Sequence, residues 1–172
     1  YNGEEPPHPT EYTEALLAKL KNYPNLEIIL EPGRAISANA GILVTKVEYL
    51  KSNEDRNFAI VDTGMNDMIR PALYEAYMQI IEVNQSLDRE KAVYDVVGPI
   101  CETSDFLGKG RELAIAEGDL IAMRSAGAYG ATMSSTYNSR PQAVEILVDG
   151  AKAHLIKARA DFADLWRLEK LI

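Results

Sequence analysis

Glu31-Pro32-Gly33-Arg34 sets a carboxylate, a bare stretch of backbone and a guanidinium side by side. A carboxylate can hold a proton on a pyridine-type nitrogen, glycine lets backbone approach a phosphate closely, and arginine offers a planar fork to phosphate or carboxylate. Together they suit a phosphorylated ring protonated on nitrogen. Taken alone, the four residues more often mark a turn with a surface ion pair.

Further along, Asp62-Thr63-Gly64-Met65-Asn66-Asp67-Met68-Ile69-Arg70-Pro71-Ala72-Leu73-Tyr74 contains two groups that bind carboxylates, Arg70 and Tyr74. Their four-residue spacing puts them on one helical face, provided Pro71 occupies an early position where its missing amide costs nothing. The plainer reading is a surface arginine and a core-edge tyrosine. Gly98-Pro99-Ile100-Cys101-Glu102-Thr103-Ser104-Asp105 carries the only thiol, beside an acid, in a segment with turn character. Such a thiol can transfer a proton, and it can also be an inert buried hydrophobe. In Ser125-Ala126-Gly127-Ala128-Tyr129-Gly130 the small neighbours leave room for a flat or anionic ligand to meet the Tyr129 hydroxyl, or the ring simply fills space beside a glycine turn. Tyr137-Asn138-Ser139-Arg140-Pro141 reads as a polar loop with no role beyond surface or interface. His8 and His154 lack a cysteine or second histidine at ligand spacing, so no metal site is expected and both read as surface residues.

The elements that must position these groups follow from periodicity. Thr10 is placed to cap a helix with Tyr12, Leu16 and Leu20 on one stripe, and Lys19 and Lys21 suit its last turn before Pro24. The continuous apolar run 26–30 reads as a buried strand. A helix feeding such a strand, with polar chemistry at the strand's carboxyl end, is the pattern of (β/α) barrels, although one unit cannot close a barrel. Beyond Ser37 the texture is β, with strands expected over 41–51, 57–62, 77–83, 92–97 and 119–124. Segments 143–148 and 151–156 flank Asp149-Gly150 as a hairpin. A closing helix is expected over 161–171, with Phe162, Leu165, Trp166 and Leu168 as its apolar side. The fold class is therefore mainly β with α: an antiparallel β domain over 37–172, preceded over 1–36 by the end of an α/β barrel.

At 172 residues the chain can bury a sizeable core. A formal charge of -8 provides no basic stripe for nucleic acid, and no apolar run is long enough to span a membrane. The start, Tyr1-Asn2-Gly3-Glu4-Glu5-Pro6-Pro7, has neither the flank nor the apolar stretch of a signal peptide and reads as the middle of a protein. The single cysteine excludes an internal disulfide and fits a reducing compartment, with cytoplasm the default.

Taken in order, Glu31-Pro32-Gly33-Arg34, Asp62-Thr63-Gly64-Met65-Asn66, Ile69-Arg70-Pro71-Ala72-Leu73-Tyr74, the 98–105 segment and Gly127-Ala128-Tyr129-Gly130 closely resemble the C-terminal part of the diaminopimelate decarboxylases, over essentially the whole chain. These are fold-type III pyridoxal phosphate decarboxylases that join an alanine-racemase-like (β/α)8 barrel to a β domain and convert meso-diaminopimelate to L-lysine and carbon dioxide. The resemblance implies pyridoxal 5'-phosphate as cofactor, with Glu31 at the pyridine nitrogen and Gly33 and Arg34 at the phosphate. It gives Cys101 the reprotonating role, which suits a thiol because thiols ordinarily titrate near 8.5. It makes Arg34, Arg70, Tyr74 and Glu102 substrate-reading residues, Arg70 for the distal carboxylate and Glu102 for the distal ammonium, and sets Tyr129 against both cofactor and substrate. It further implies a head-to-tail homodimer in which Cys101-Glu102 completes the site of the opposite subunit. Thr103 stands where serine is common and Ala131 where a larger aromatic is common. No lysine matches the family's Schiff-base position, so the chain by itself is expected to be inactive. The alternatives are a related decarboxylase for arginine or carboxynorspermidine, disfavoured by the 69–74 motif, and a noncatalytic dimerisation or binding module.

Overall fold

The computed structural model describes residues 2–170 and 172. Helix α1 spans Pro9–Leu20 and starts two residues earlier than a Thr10 cap implies: His8 is the N-cap, its ring accepts from the Thr10 amide at 3.3 Å, and Glu11 returns to the His8 amide at 3.2 Å. Pro9 occupies the first turn, where its missing amide leaves nothing unsatisfied. No residue of α1 is buried, although Leu16 and Leu20 are partly covered.

Residues 26–30 do not form the expected strand. Leu26, Ile28, Ile29 and Leu30 are exposed, Ile29 at 75 %. A strand is defined by its ladder, and no described segment pairs with this one, so an apolar, β-prone run remains irregular. The chain then enters a short helix, α2 (Arg34–Ser37), and a 3-10 turn, Ala38–Ala40.

From there the expected β domain appears: β1 (Leu43–Ser52), β2 (Asn57–Val61), β3 (Ile80–Glu82), β4 (Ala92–Val97), β5 (Phe106–Leu113) and β6 (Leu120–Met123), with helix α3 (Arg70–Tyr74) between β2 and β3. The six strands form one sheet in the order β3-β6-β1-β2-β4-β5. Adjacent strands are antiparallel except β2 and β4, which run parallel because the long excursion through α3 and β3 separates them. β5 escapes sequence patterning because Gly108, Lys109 and Gly110 interrupt its alternation. In the ladder, Tyr94 faces Arg111 while Val96 faces Gly108, a bulge with Gly110 at φ +63°.

The sheet curls until its ends meet. The Ile80 side chain lies 3.0 Å from where a Cβ on Gly108 would stand, the Arg111 guanidinium lies 3.8 Å from the Tyr77 ring centroid, and Glu82 accepts from the Ala114 amide at 2.6 Å. Val47, Val61, Met68, Met78, Leu107 and Ile121 fill the interior so formed. β7 (Glu145–Asp149) and β8 (Lys152–Lys157) form the expected hairpin as a separate ribbon, turning one residue later than Asp149-Gly150, through Gly150 at φ +58° and Ala151. The closing helix, α4, is shorter than expected, Phe162–Trp166, capped reciprocally by Asp161 and Asp164. The far end of the expected range, Leu171, lies outside the described residues.

Candidate active site

The segment around Gly33 is held against the β domain by backbone. Gly41 O accepts from the Ala126 amide at 2.9 Å, Ala38 O accepts from Gly127 at 3.1 Å, and the Ser125 hydroxyl donates to Asn39 Oδ1 at 2.9 Å. Gly127 permits this approach, since a Cβ there would collide with the Ser37 carbonyl. The consequence is that Gly33, at the N-terminus of α2, faces Tyr129: a Cβ built on Gly33 would stand 3.6 Å from the Tyr129 hydroxyl. Tyr129 reaches that position through a left-handed backbone, φ +63°, between Ala128 and Gly130, which are both buried.

The other side of the Tyr129 ring meets Arg70, whose guanidinium carbon lies 5.0 Å from the ring centroid. Arg70 opens α3 with Pro71 beside it, and one turn later Tyr74 places its ring centroid 5.4 Å from the same guanidinium. The expected shared face of Arg70 and Tyr74 is therefore present, and contact with two aromatic rings holds the guanidinium in orientation. Glu31 and Arg34, which flank Gly33 in sequence, are exposed.

Cys101 and Glu102 belong to a second group. Both are exposed, so the thiol is not a core hydrophobe. The loop bearing them is organised by Asp105, only 3 % exposed, whose carboxylate accepts from the Ile100 and Met65 amides, each at 2.6 Å. Gly98 makes room for that carboxylate, because a Cβ there would stand 2.6 Å from Oδ1. The same contact ties the loop after β4 to the loop after β2. Asp62, at the end of β2, accepts from the Thr45 hydroxyl at 2.6 Å and from the Lys46 amide at 2.9 Å. Asp67 accepts from Gly64 at 3.1 Å and titrates above the ordinary carboxylate value because burial disfavours its charge, against the opposing effects of that amide and of Arg140.

Tyr137 and Arg140, read from sequence as surface, join this group. The Tyr137 hydroxyl donates to Glu102 Oε1. Arg140 donates to Asn66 Oδ1 at 3.0 Å and to the Asp62 carbonyl at 2.5 Å. Asn66 and Asp105 stood in the quoted motifs without a task. Their burial is the missing information, since a polar side chain that sequence alone marks as loop surface organises two loops once it is enclosed. A cleft of about 330 Å³ lies beside these groups, lined by Gly41, Met68, Gly130, Ile146 and Lys157, and includes none of the expected site residues. Among the described residues no cluster of histidine, cysteine or carboxylate groups could hold a metal, and no helix is long and apolar enough to cross a membrane.

A sequence model of the pyridoxal-dependent decarboxylase C-terminal sheet domain matches residues 14–127. The chain is 72 % identical, over all 172 residues, to a diaminopimelate decarboxylase of Haemophilus influenzae, and 56 % identical to that of Vibrio cholerae. It spans 41 % of the length of each. A crystal structure of diaminopimelate decarboxylase from Helicobacter pylori complexed with L-lysine superposes with a TM-score of 0.90 at 44 % identity, covering 98 % of this chain and 41 % of that one.

Proposed function

We propose that this chain, which belongs to the pyridoxal-dependent decarboxylases as their C-terminal sheet domain, serves the decarboxylation of meso-diaminopimelate to L-lysine. In this reading residues 1–36 are the end of a (β/α)8 barrel, residues 37–172 are the β domain, and the remaining barrel and the Schiff-base lysine are supplied by the portion of the relatives that this chain does not span. The protein works as a cytoplasmic homodimer with shared sites.

The residues present fit pyridoxal phosphate. Space over Gly33 is bounded by a phenol rather than a side chain of its own, and a carboxylate and a guanidinium flank it in sequence. Glu31 would hold the proton on the ring nitrogen, and the Gly33 backbone and Arg34 would hold the phosphate. The chemistry the group supplies when bound is an electron sink for the pair left by departing carbon dioxide. Tyr129 donates its hydroxyl on the Gly33 side and keeps Arg70 in place on the other. Arg70, steadied by Tyr74, takes the distal carboxylate of the substrate, with Arg34 also within the reading set. Glu102 accepts from the distal ammonium, and Cys101 gives its proton to the substrate carbon that lost carbon dioxide.

The observation that carries this reading is the run of contacts from Gly33 through Tyr129 to Arg70, which links a cofactor-type segment to a carboxylate reader. Shared sites are supported by the exposure of Cys101 and Glu102, whose loop is anchored on the 62–66 turn. The test is carbon dioxide release by the full-length protein with pyridoxal phosphate, offered meso-diaminopimelate, arginine or carboxynorspermidine. Turnover confined to diaminopimelate is expected; preference for either substrate lacking its distal amino acid would overturn the assignment.

A further inference from the structure

The segment 135–140 is clamped at both ends on one residue. The Ser135 amide donates to the Asn66 carbonyl at 2.8 Å, and Arg140 Nε donates to the Asn66 side chain at 3.0 Å. Asn66 itself is 2 % exposed, so the anchor is part of the buried framework. Between the clamps the chain reverses through two consecutive left-handed residues, Asn138 at φ 58° and Ser139 at φ 55°. Neither is glycine, and a non-glycine pair in this region persists only where its surroundings over-determine it. The result is a projection braced on Asn66 that carries Tyr137, its amide donating to Ser135 Oγ at 3.3 Å and its hydroxyl to Glu102.

We propose that Tyr137 is a positioning residue for Glu102: it fixes one carboxylate oxygen so that the other faces the ammonium at the distal end of the substrate. This deepens the reading above and rests on Glu102 being the ammonium acceptor. An exposed glutamate on a loop samples many rotamers, and ordering it on substrate binding costs affinity. A phenol donor satisfies Oε1 without adding charge, so the full negative charge remains available to a cation. A lysine or arginine in its place would neutralise it. The hydrogen bond and charge of Glu102 also raise the Tyr137 pKa above the ordinary phenol value, in keeping with a phenol that donates to this carboxylate. Arg140 and Asn66 act one step further back, by holding the projection that carries Tyr137.

The experiment uses the full-length protein loaded with pyridoxal phosphate and two ligands, meso-diaminopimelate as substrate and 2-aminopimelate, which keeps the distal carboxylate and lacks the distal ammonium, as competitive inhibitor. Tyr137→Phe should raise KM for diaminopimelate about tenfold, the scale of one hydrogen bond to a charged group. It should change kcat less than about twofold and leave the inhibition constant of 2-aminopimelate unchanged. Arg140→Lys, which keeps the charge and loses the Nε contact to Asn66, should show the same pattern in weaker form. Glu102→Gln is the control for the underlying reading and should abolish the advantage of diaminopimelate over 2-aminopimelate. If Glu102→Gln leaves that advantage intact, the assignment of Glu102 falls and this inference with it. If Glu102→Gln removes it while Tyr137→Phe does not raise KM, or weakens both ligands equally, the positioning role alone is overturned.

Discussion

The Arg70 guanidinium lies over the Tyr129 ring, 5.0 Å from its centroid, and so connects a helix that follows β2 with a turn that follows β6. Tyr129 is the hinge of the arrangement: its hydroxyl side meets Gly33 and its ring meets Arg70. One aromatic side chain thereby links Gly33 to Arg70, and under the proposed function these are the phosphate-type loop and the carboxylate reader.

Replacing Arg70 with alanine should raise KM for diaminopimelate and erase preference over analogues without the distal carboxylate. A charge-assisted bidentate contact is worth roughly 1.5–3 kcal/mol, so a loss of about ten- to a hundredfold in kcat/KM is expected. Absorbance of bound pyridoxal phosphate should survive. Loss of the cofactor with intact preference would assign Arg70 to the cofactor instead.

Gly33→Ala addresses the other side of Tyr129. Gly33 sits at φ -74°, where any residue is unstrained, and the new methyl would make an ordinary 3.6 Å contact to the Tyr129 hydroxyl. Stability should change by no more than about 0.5 kcal/mol. Cofactor affinity should fall, because the methyl occupies space through which backbone approaches phosphate. Titration of the full-length apoprotein with pyridoxal phosphate measures this, and unchanged affinity would remove Gly33 from the phosphate site.

Cys101→Ala should lower turnover by about 10²-fold or more, the usual scale for a positioned general acid. The side chain is exposed and its loop is held by Asp105 rather than by the thiol, so melting temperature and cofactor absorbance should not move. Wild-type turnover in the variant would exclude the proton-donor role.

Asp67 provides a pH signature of stability. Burial raises its folded pKa above the ordinary 3.8, so the folded state binds this proton more tightly than the unfolded state. Its favourable contribution is full below 3.8 and is lost as pH rises through the raised folded value. Asp67→Asn keeps an acceptor for the Gly64 amide and removes the titration. The variant should therefore gain stability relative to wild type as pH rises from 3.8 through the raised folded value, and the difference should level off above it. Denaturant midpoints that stay parallel across this range would contradict the role given to burial.

Much was legible from the chain alone because it depends on local rules. Arg70 and Tyr74 share a face since helical spacing requires it, Pro71 fits an early turn because its missing amide costs nothing there, and the ordered motifs pointed to the family that the comparisons show. The alternating strands appeared near their expected places for the same reason. What local rules could not decide was anything that depends on a neighbour distant in sequence. Residues 26–30 have strand propensity and no ladder, so they stay irregular. β5 carries glycines that weaken its pattern, and its pairing with β4 through a bulge makes it a strand regardless. Asp105 and Asn66 read as loop polar residues until enclosure turned them into the anchors of the Cys101 loop and of the Tyr137 projection. Propensity and motif are properties of a few adjacent residues; burial and hydrogen-bond partnership belong to the folded whole, and it is the fold that brought Tyr137 to Glu102 and Tyr129 between Gly33 and Arg70.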